Sequence, residues 1–191
     1  MLWVEKMGYI IDQRDIQKLG GKASKYPSSY IVYSILNKHG LYDNVLDVTY
    51  GRGRFYYYKK PKFLVAADPK VWEWIVKPDI FIPRPVWALK PILQNIKLTF
   101  DVIVCDPPQW KKNTSYSRRD EYSYAIGSAT LIINETIKLA NQLGIEHMLL
   151  HYDKLLDNAI VVEDILFRYV ARYLNNPELR ATHFTLYRIS R

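Results

Sequence analysis

Apolar residues gather along the chain in two kinds of pattern. Short runs rich in aliphatic and aromatic residues read as strands: "NVLDVT", "KFLVAAD", "DIFIPR", "DVIVCD", "EHMLLHY" and "ATHFTLYRI". Between them lie segments with helical spacing. "SSYIVYSILNKHG" puts Ile31, Ile35 and Leu36 on one face, with Ser28 or Ser29 to cap it and Gly40 to end it. "PILQNIKL" opens on Pro91, as helices often do. "AIGSATLIINETIKLANQLG" aligns Ala129, Ile133, Thr136 and Ala140 and stops at Gly144. "VWEWIVK" predicts a helical turn or more, and "VVEDILFRYVARYL" has Val162, Leu166, Tyr169 and Tyr173 in helical phase. Residues 1–25 read as a polar N-terminal extension with a short helix near Asp15–Leu19, broken by Gly20 and Gly21. Strands alternating with helices predict a doubly wound, mostly parallel α/β sheet of six or seven strands joined by right-handed crossovers. No repeat or long linker divides the chain, so residues 1–191 are expected to form one domain.

In such sheets ligands lie beyond the carboxyl ends of the strands, where strand order reverses. Three predicted strand ends carry candidate chemistry. The first is "LDVTYGRGRF": Asp47 precedes a turn in which Gly51 and Gly53 permit a tight bend and close approach of a ligand. The second is "VAADP", which places Asp68 about 20 residues past the first acid, where a carboxylate can accept both hydroxyls of a ribose. Each also reads as an ordinary strand stop. Thr49 occupies the place of the first glycine of a dinucleotide fingerprint, which disfavours a nicotinamide-dependent oxidoreductase.

The third is "DVIVCDPPQW". Asp106 ends an apolar run, and Pro107 and Pro108 lack amide protons. A carboxylate beside a free carbonyl forms a pair of acceptors suited to a planar amino group. Gln109 offers either polarity, and Trp110 can stack on a flat ring.

Composition adds a partner. The 191 residues are 49% hydrophobic and 24% charged, with a formal net charge of +8. This is a globular composition with a polyanion preference. "GRGRFYYYKKPK" and "WKKNTSYSRR" interleave cations with aromatic rings, a mixture that suits phosphate contacts and base stacking. Residues 111–124 read as a long loop, whose Lys111, Lys112, Arg118 and Arg119 are candidate phosphate contacts or simply solvated. Cys105, the single cysteine, excludes an internal disulfide and reads as a buried small hydrophobe. His39, His147, His151 and His183 lack metal-ligand spacing and read as structural or exposed, so no metal site is expected. The N-terminus does not read as a signal peptide and no run is long enough to cross a bilayer, so an intracellular, cytoplasmic protein is expected.

"LDVTYGRGRF", "AADP" and "DVIVCDPPQW", in this order, resemble motifs I, II and IV of the Rossmann-like S-adenosylmethionine-dependent methyltransferases, and more narrowly of the DPP-aromatic enzymes that methylate exocyclic amines of nucleobases. "KYPSSYIVYSIL" is similar to the helix that leads into motif I in one circular order of that group. The resemblance implies S-adenosylmethionine as cofactor. Asp47, Thr49, Gly51 and Gly53 would border its methionine part, Asp68 and Pro69 would sit at the ribose, and Tyr26 and Asp106 would line the same site. It implies that Asp106 and the Pro107 carbonyl align an amine of DNA or RNA, adenine N6 first, with Pro108, Gln109 and Trp110 completing the pocket. The chain departs from the pattern in having Gln109 where an aromatic follows the second proline. Its closing hairpin is also expected to be one strand short. With no separate recognition domain, target choice would fall to low specificity, to the 111–124 loop or to a second subunit. Two other readings are a nucleic-acid-binding protein that keeps the fold without activity, and a methyltransferase for a protein or small-molecule amine or amide.

Overall fold

A computed structural model describes residues 8–96, 98–108, 129–157, 159–173 and 176–189. Its strands are β1 (Gly8–Asp12), β2 (Asn44–Asp47), β3 (Phe63–Ala67), β4 (Ile80–Ile82), β5 (Val102–Cys105), β6 (His147–Tyr152), β7 (Ile160–Tyr173) and β8 (Asn176–Arg188). They form one sheet in the order β1-β7-β8-β6-β5-β2-β3-β4. Neighbours are parallel except β8, which runs antiparallel to both β6 and β7. The described sheet therefore has eight strands rather than six or seven.

The central strands are apolar on both faces because both faces are covered. Val45, Leu64, Val102 and Val104 face α3 (Pro27–Lys38), which buries Ile31, Val32, Ile35 and Leu36 against them. On the other face Leu46, Val65, Ile103 and Cys105 meet α4 (Lys90–Ile96) and α5 (Ala129–Leu143), through Leu93, Ile132, Ile133, Leu139 and Ala140. Complete burial of each such aliphatic side chain contributes about 1.5–3 kcal/mol. Cys105 is the buried hydrophobe its run predicts, and burial raises its thiol well above the ordinary value.

Four expectations are corrected. The segment 161–174 is not a helix: β7 covers most of it, with Ile165 and Phe167 buried on one face and Tyr169 stacked on Phe167. Alternation and helical phase coincide there, and the β-branched and aromatic content settles it toward a strand. The closing hairpin is accordingly present, as β7 and β8. Residues 71–77 form no helix. Ile75 instead donates its amide to the Arg52 carbonyl at 2.8 Å and Trp74 packs on Phe81, so tertiary contacts override the local pattern. Residues 8–25 are not an extension outside the sheet: β1 pairs with β7, α1 (Gln13–Lys18) is the short helix expected near Asp15–Leu19, and α2 (Gly21–Lys25) follows.

α3 starts on Pro27, and Ser29 donates its hydroxyl to the Tyr26 carbonyl at 2.6 Å instead of capping amides. None of the described helices is long and apolar enough to cross a membrane.

Candidate active site

Strand order reverses between β2 and β5: β3 and β4 continue outward from β2, while β6 and the hairpin continue from β5. The residues after β2 spread over this divide. The Val48 amide bonds to the Val104 carbonyl of β5, and the Tyr50 amide to the Ala67 carbonyl of β3, each at 3.1 Å. The Thr49 hydroxyl receives the backbone N–H of Asp106 at 2.6 Å, and the Gly51 amide donates to Asp68 Oδ2 at 2.9 Å. Four consecutive residues thus fasten the ends of three strands. Thr49, at the place of a glycine in the usual fingerprint, bridges the first and third predicted pieces of the site.

Both glycines of this turn have positive φ, 55° at Gly51 and 73° at Gly53. A Cβ at Gly53 would also lie 2.5 Å from the Tyr50 hydroxyl, so glycine is required there by conformation and by space.

Asp47 is 2% exposed. Its Oδ1 accepts the Thr49 amide at 2.9 Å and its Oδ2 accepts the Tyr56 hydroxyl at 2.7 Å. Burial raises its carboxyl to about 7; the two hydrogen bonds oppose the shift, and the charges of Asp106 and Asp68 add to it. Asp47 therefore acts as the internal anchor of the turn. Asp68 is 1% exposed, and its Oδ1 accepts the Lys70 amide at 2.9 Å. It lines a narrow cleft together with Thr49, Pro69 and Pro108, and the apolar walls come from Val48, Val86 and Ile132.

Asp106 stands directly after β5 with its side chain 39% exposed. His151, near the end of β6, donates its Nδ1–H to Asp106 Oδ1 at 2.7 Å in the tautomer that pairs an imidazole N–H with a carboxyl oxygen. The imidazole is stacked on Phe184, with centroids 4.3 Å apart, and meets the edge of Phe55 at 5.6 Å. Among the described residues Asp106 Oδ2 has no partner. The pattern of histidines along the chain gives no hint of His151: β5 and β6 are adjacent, and only their register brings the pair together. An apolar strand ending in a histidine beside a strand ending in an aspartate was the available signal.

The structure brings together Asp47, Thr49, Gly51, Gly53, Asp68, Pro69, Asp106, Pro107 and Pro108. Pro107 is buried. Tyr26 is at the start of α3, with its ring against Tyr57 at 4.8 Å. Gln109, Trp110, Lys111, Lys112, Arg118 and Arg119 lie outside the described residues.

No family model and no curated protein matches the chain. Its fold does match solved structures. A protein of Pyrococcus horikoshii provisionally described as an RNA methyltransferase superposes with a TM-score of 0.55 at 9% identity, over 85% of this chain and 83% of that one. A provisionally described methyltransferase of Escherichia coli, yhhF, gives 0.48 at 8% identity over 86% of each chain. The magnesium protoporphyrin IX methyltransferase of Synechocystis gives 0.45 at 10% identity, over 93% of this chain and 86% of that one. The first likeness shows that this chain shares the fold of that protein.

Proposed function

We propose that the chain transfers a methyl group from S-adenosylmethionine to an exocyclic amino group of a nucleobase, adenine N6 first, in RNA before DNA. The observation that carries this reading is the Asp106 carboxylate at the strand-order reversal, with one oxygen held by His151 and the other without a described partner. The order of the two nucleic acids follows the description of the Pyrococcus protein.

The residues present fit the cofactor. The cleft joins a carboxylate, Asp68, to apolar walls, and Asp68 is bonded to the Gly51 amide of the glycine turn; this is the chemistry needed by a ribose, a flat purine and a closely approaching tail. Asp68 would hold the ribose hydroxyls, with the glycine turn beside the methionine part. When bound, the cofactor supplies an electrophilic methyl group on a sulfonium.

Beside the cleft, which the following Pro108 lines, Asp106 Oδ2 and the Pro107 carbonyl would accept the two N–H groups of the target amine and fix its approach. Positioning of this kind supplies much of the rate of a two-substrate reaction. The Asp106 charge offsets the positive charge that develops on nitrogen, and the carboxylate is placed to take the proton that nitrogen sheds. His151 keeps Asp106 from rotating out of this alignment, and Thr49 fixes its backbone.

Calorimetric titration of the intact chain with S-adenosylmethionine and S-adenosylhomocysteine tests the cofactor reading. Both bind, and Asp68→Ala weakens each by about 10–100-fold through the loss of charge-assisted hydrogen bonds. Absence of binding by either compound to the wild-type chain removes the proposal.

A further inference from the structure

The turn that anchors the candidate site also faces outward. Its three-residue 3-10 helix, Arg54–Tyr56, sends Phe55 to the edge of His151 and Tyr56 to buried Asp47. Arg54, by contrast, is exposed and lies over the ring of Tyr26 at 5.9 Å. Tyr57 follows, its ring against Tyr26, with Lys25 at 5.3 Å and Lys22 at 5.9 Å from its centroid. The surface continues along α3, where Tyr58 contacts the rings of Tyr30 and Tyr33, and Lys59 lies 5.3 Å from Tyr33.

The cations of this face differ from their neighbours. Lys38, Arg52, Lys60 and Lys62 each have a carboxylate partner. Lys22, Lys25, Arg54 and Lys59 have none among the described residues and rest on tyrosine rings instead. Segments 16–42 and 48–67 contain neither Asp nor Glu, so the partners of Lys38, Arg52, Lys60 and Lys62 come from elsewhere in the chain.

Unneutralised cations alternating with half-buried aromatic rings suit an anionic chain that carries its own flat groups. Phosphates meet the cations, and unstacked bases meet the ring faces and edges. A duplex keeps its bases stacked and closed to such rings, whereas unpaired RNA presents them. The face also ends at the site, because Arg54 and Phe55 are consecutive. We infer that α2, the first turns of α3 and the Arg54–Tyr57 turn form the docking surface for a single-stranded segment of RNA and lead it toward Asp106. The choice of RNA rests on the proposed function; the docking itself requires no methyl transfer.

Fluorescence anisotropy with a labelled single-stranded RNA of about 12 nucleotides, titrated with the intact chain without cofactor, tests this. Each phosphate contact adds about 0.7 to the slope of log affinity against log salt, so the Lys22→Gln/Lys25→Gln double variant should lose about 1.4 and bind about tenfold more weakly near 0.1 M salt. Tyr57→Ala should weaken binding about tenfold with the slope unchanged. Melting followed by circular dichroism establishes that the variants are folded. An unchanged slope in the folded double variant overturns the inference. So does equal or tighter binding of duplex RNA, of the same sequence as DNA, or of polyglutamate. The two readings fail separately: RNA binding with these slopes but no methyl transfer sinks only the proposed function, and methyl transfer to RNA with wild-type slopes in the variants sinks only the docking surface.

Discussion

Asp47 and His151 show how position changes the chemistry of ordinary residues. Burial raises the Asp47 carboxyl from 3.8 to about 7 in the folded chain. Between these values the folded chain holds a proton that the unfolded chain has released, so this group's contribution to stability falls as pH rises from about 4 to about 7 and is level above. Asp47→Asn keeps an acceptor for the Thr49 amide and removes the titration. The melting temperature of the variant relative to wild type should therefore rise across that window; parallel curves would show that Asp47 does not titrate there. For His151 the decisive contact is Nδ1–H to Asp106 Oδ1. His151→Phe keeps a ring against Phe184 and deletes the donor, while His151→Asn returns a donor near the same point. On the proposed reaction, Phe should lower kcat about 10–100-fold with cofactor affinity unchanged, and Asn should recover part of the loss. Equal activity of all three chains would remove the positioning role.

At the scale of elements, the sequence was legible where a pattern had one structural solution. β2, β3 and β5 follow from short apolar runs that end on turn-forming residues, and α3 and α5 follow from faces of Ile, Leu and Ala. β7 was not legible because its residues satisfy two periods at once. The "NNP" that follows, with turn-forming Asn and Pro, was the better guide to a hairpin. β1 was obscured for another reason: its five residues have little burial of their own and are placed by pairing with β7. The site divides in the same way. Asp47, Asp68 and Asp106 were marked by their places at predicted strand ends. The contacts that organise them, Thr49 with Asp106 and Asp106 with His151, join residues 57 and 45 positions apart and depend on strand order.

Across the whole molecule, one arrangement serves both the core and the candidate chemistry. Parallel strands buried on both faces fix their carboxyl ends relative to one another, and the reversal of strand order opens the cleft between them. The formal charge of +8 gives long-range attraction for a polyanion, and the tyrosine-lined face beside the turn gives that attraction a local address. In the proposed reaction Asp106 receives the target amine. The most direct measurement is transfer of a tritiated methyl group from S-adenosylmethionine to an RNA pool by the wild-type chain and by Asp106→Ala, with cofactor affinity measured on both. Labelled RNA is expected from the wild type, with loss of at least about 100-fold in the variant and nearly equal cofactor affinity. Transfer that survives in Asp106→Ala, or activity and cofactor affinity that fall together, would contradict this role of Asp106.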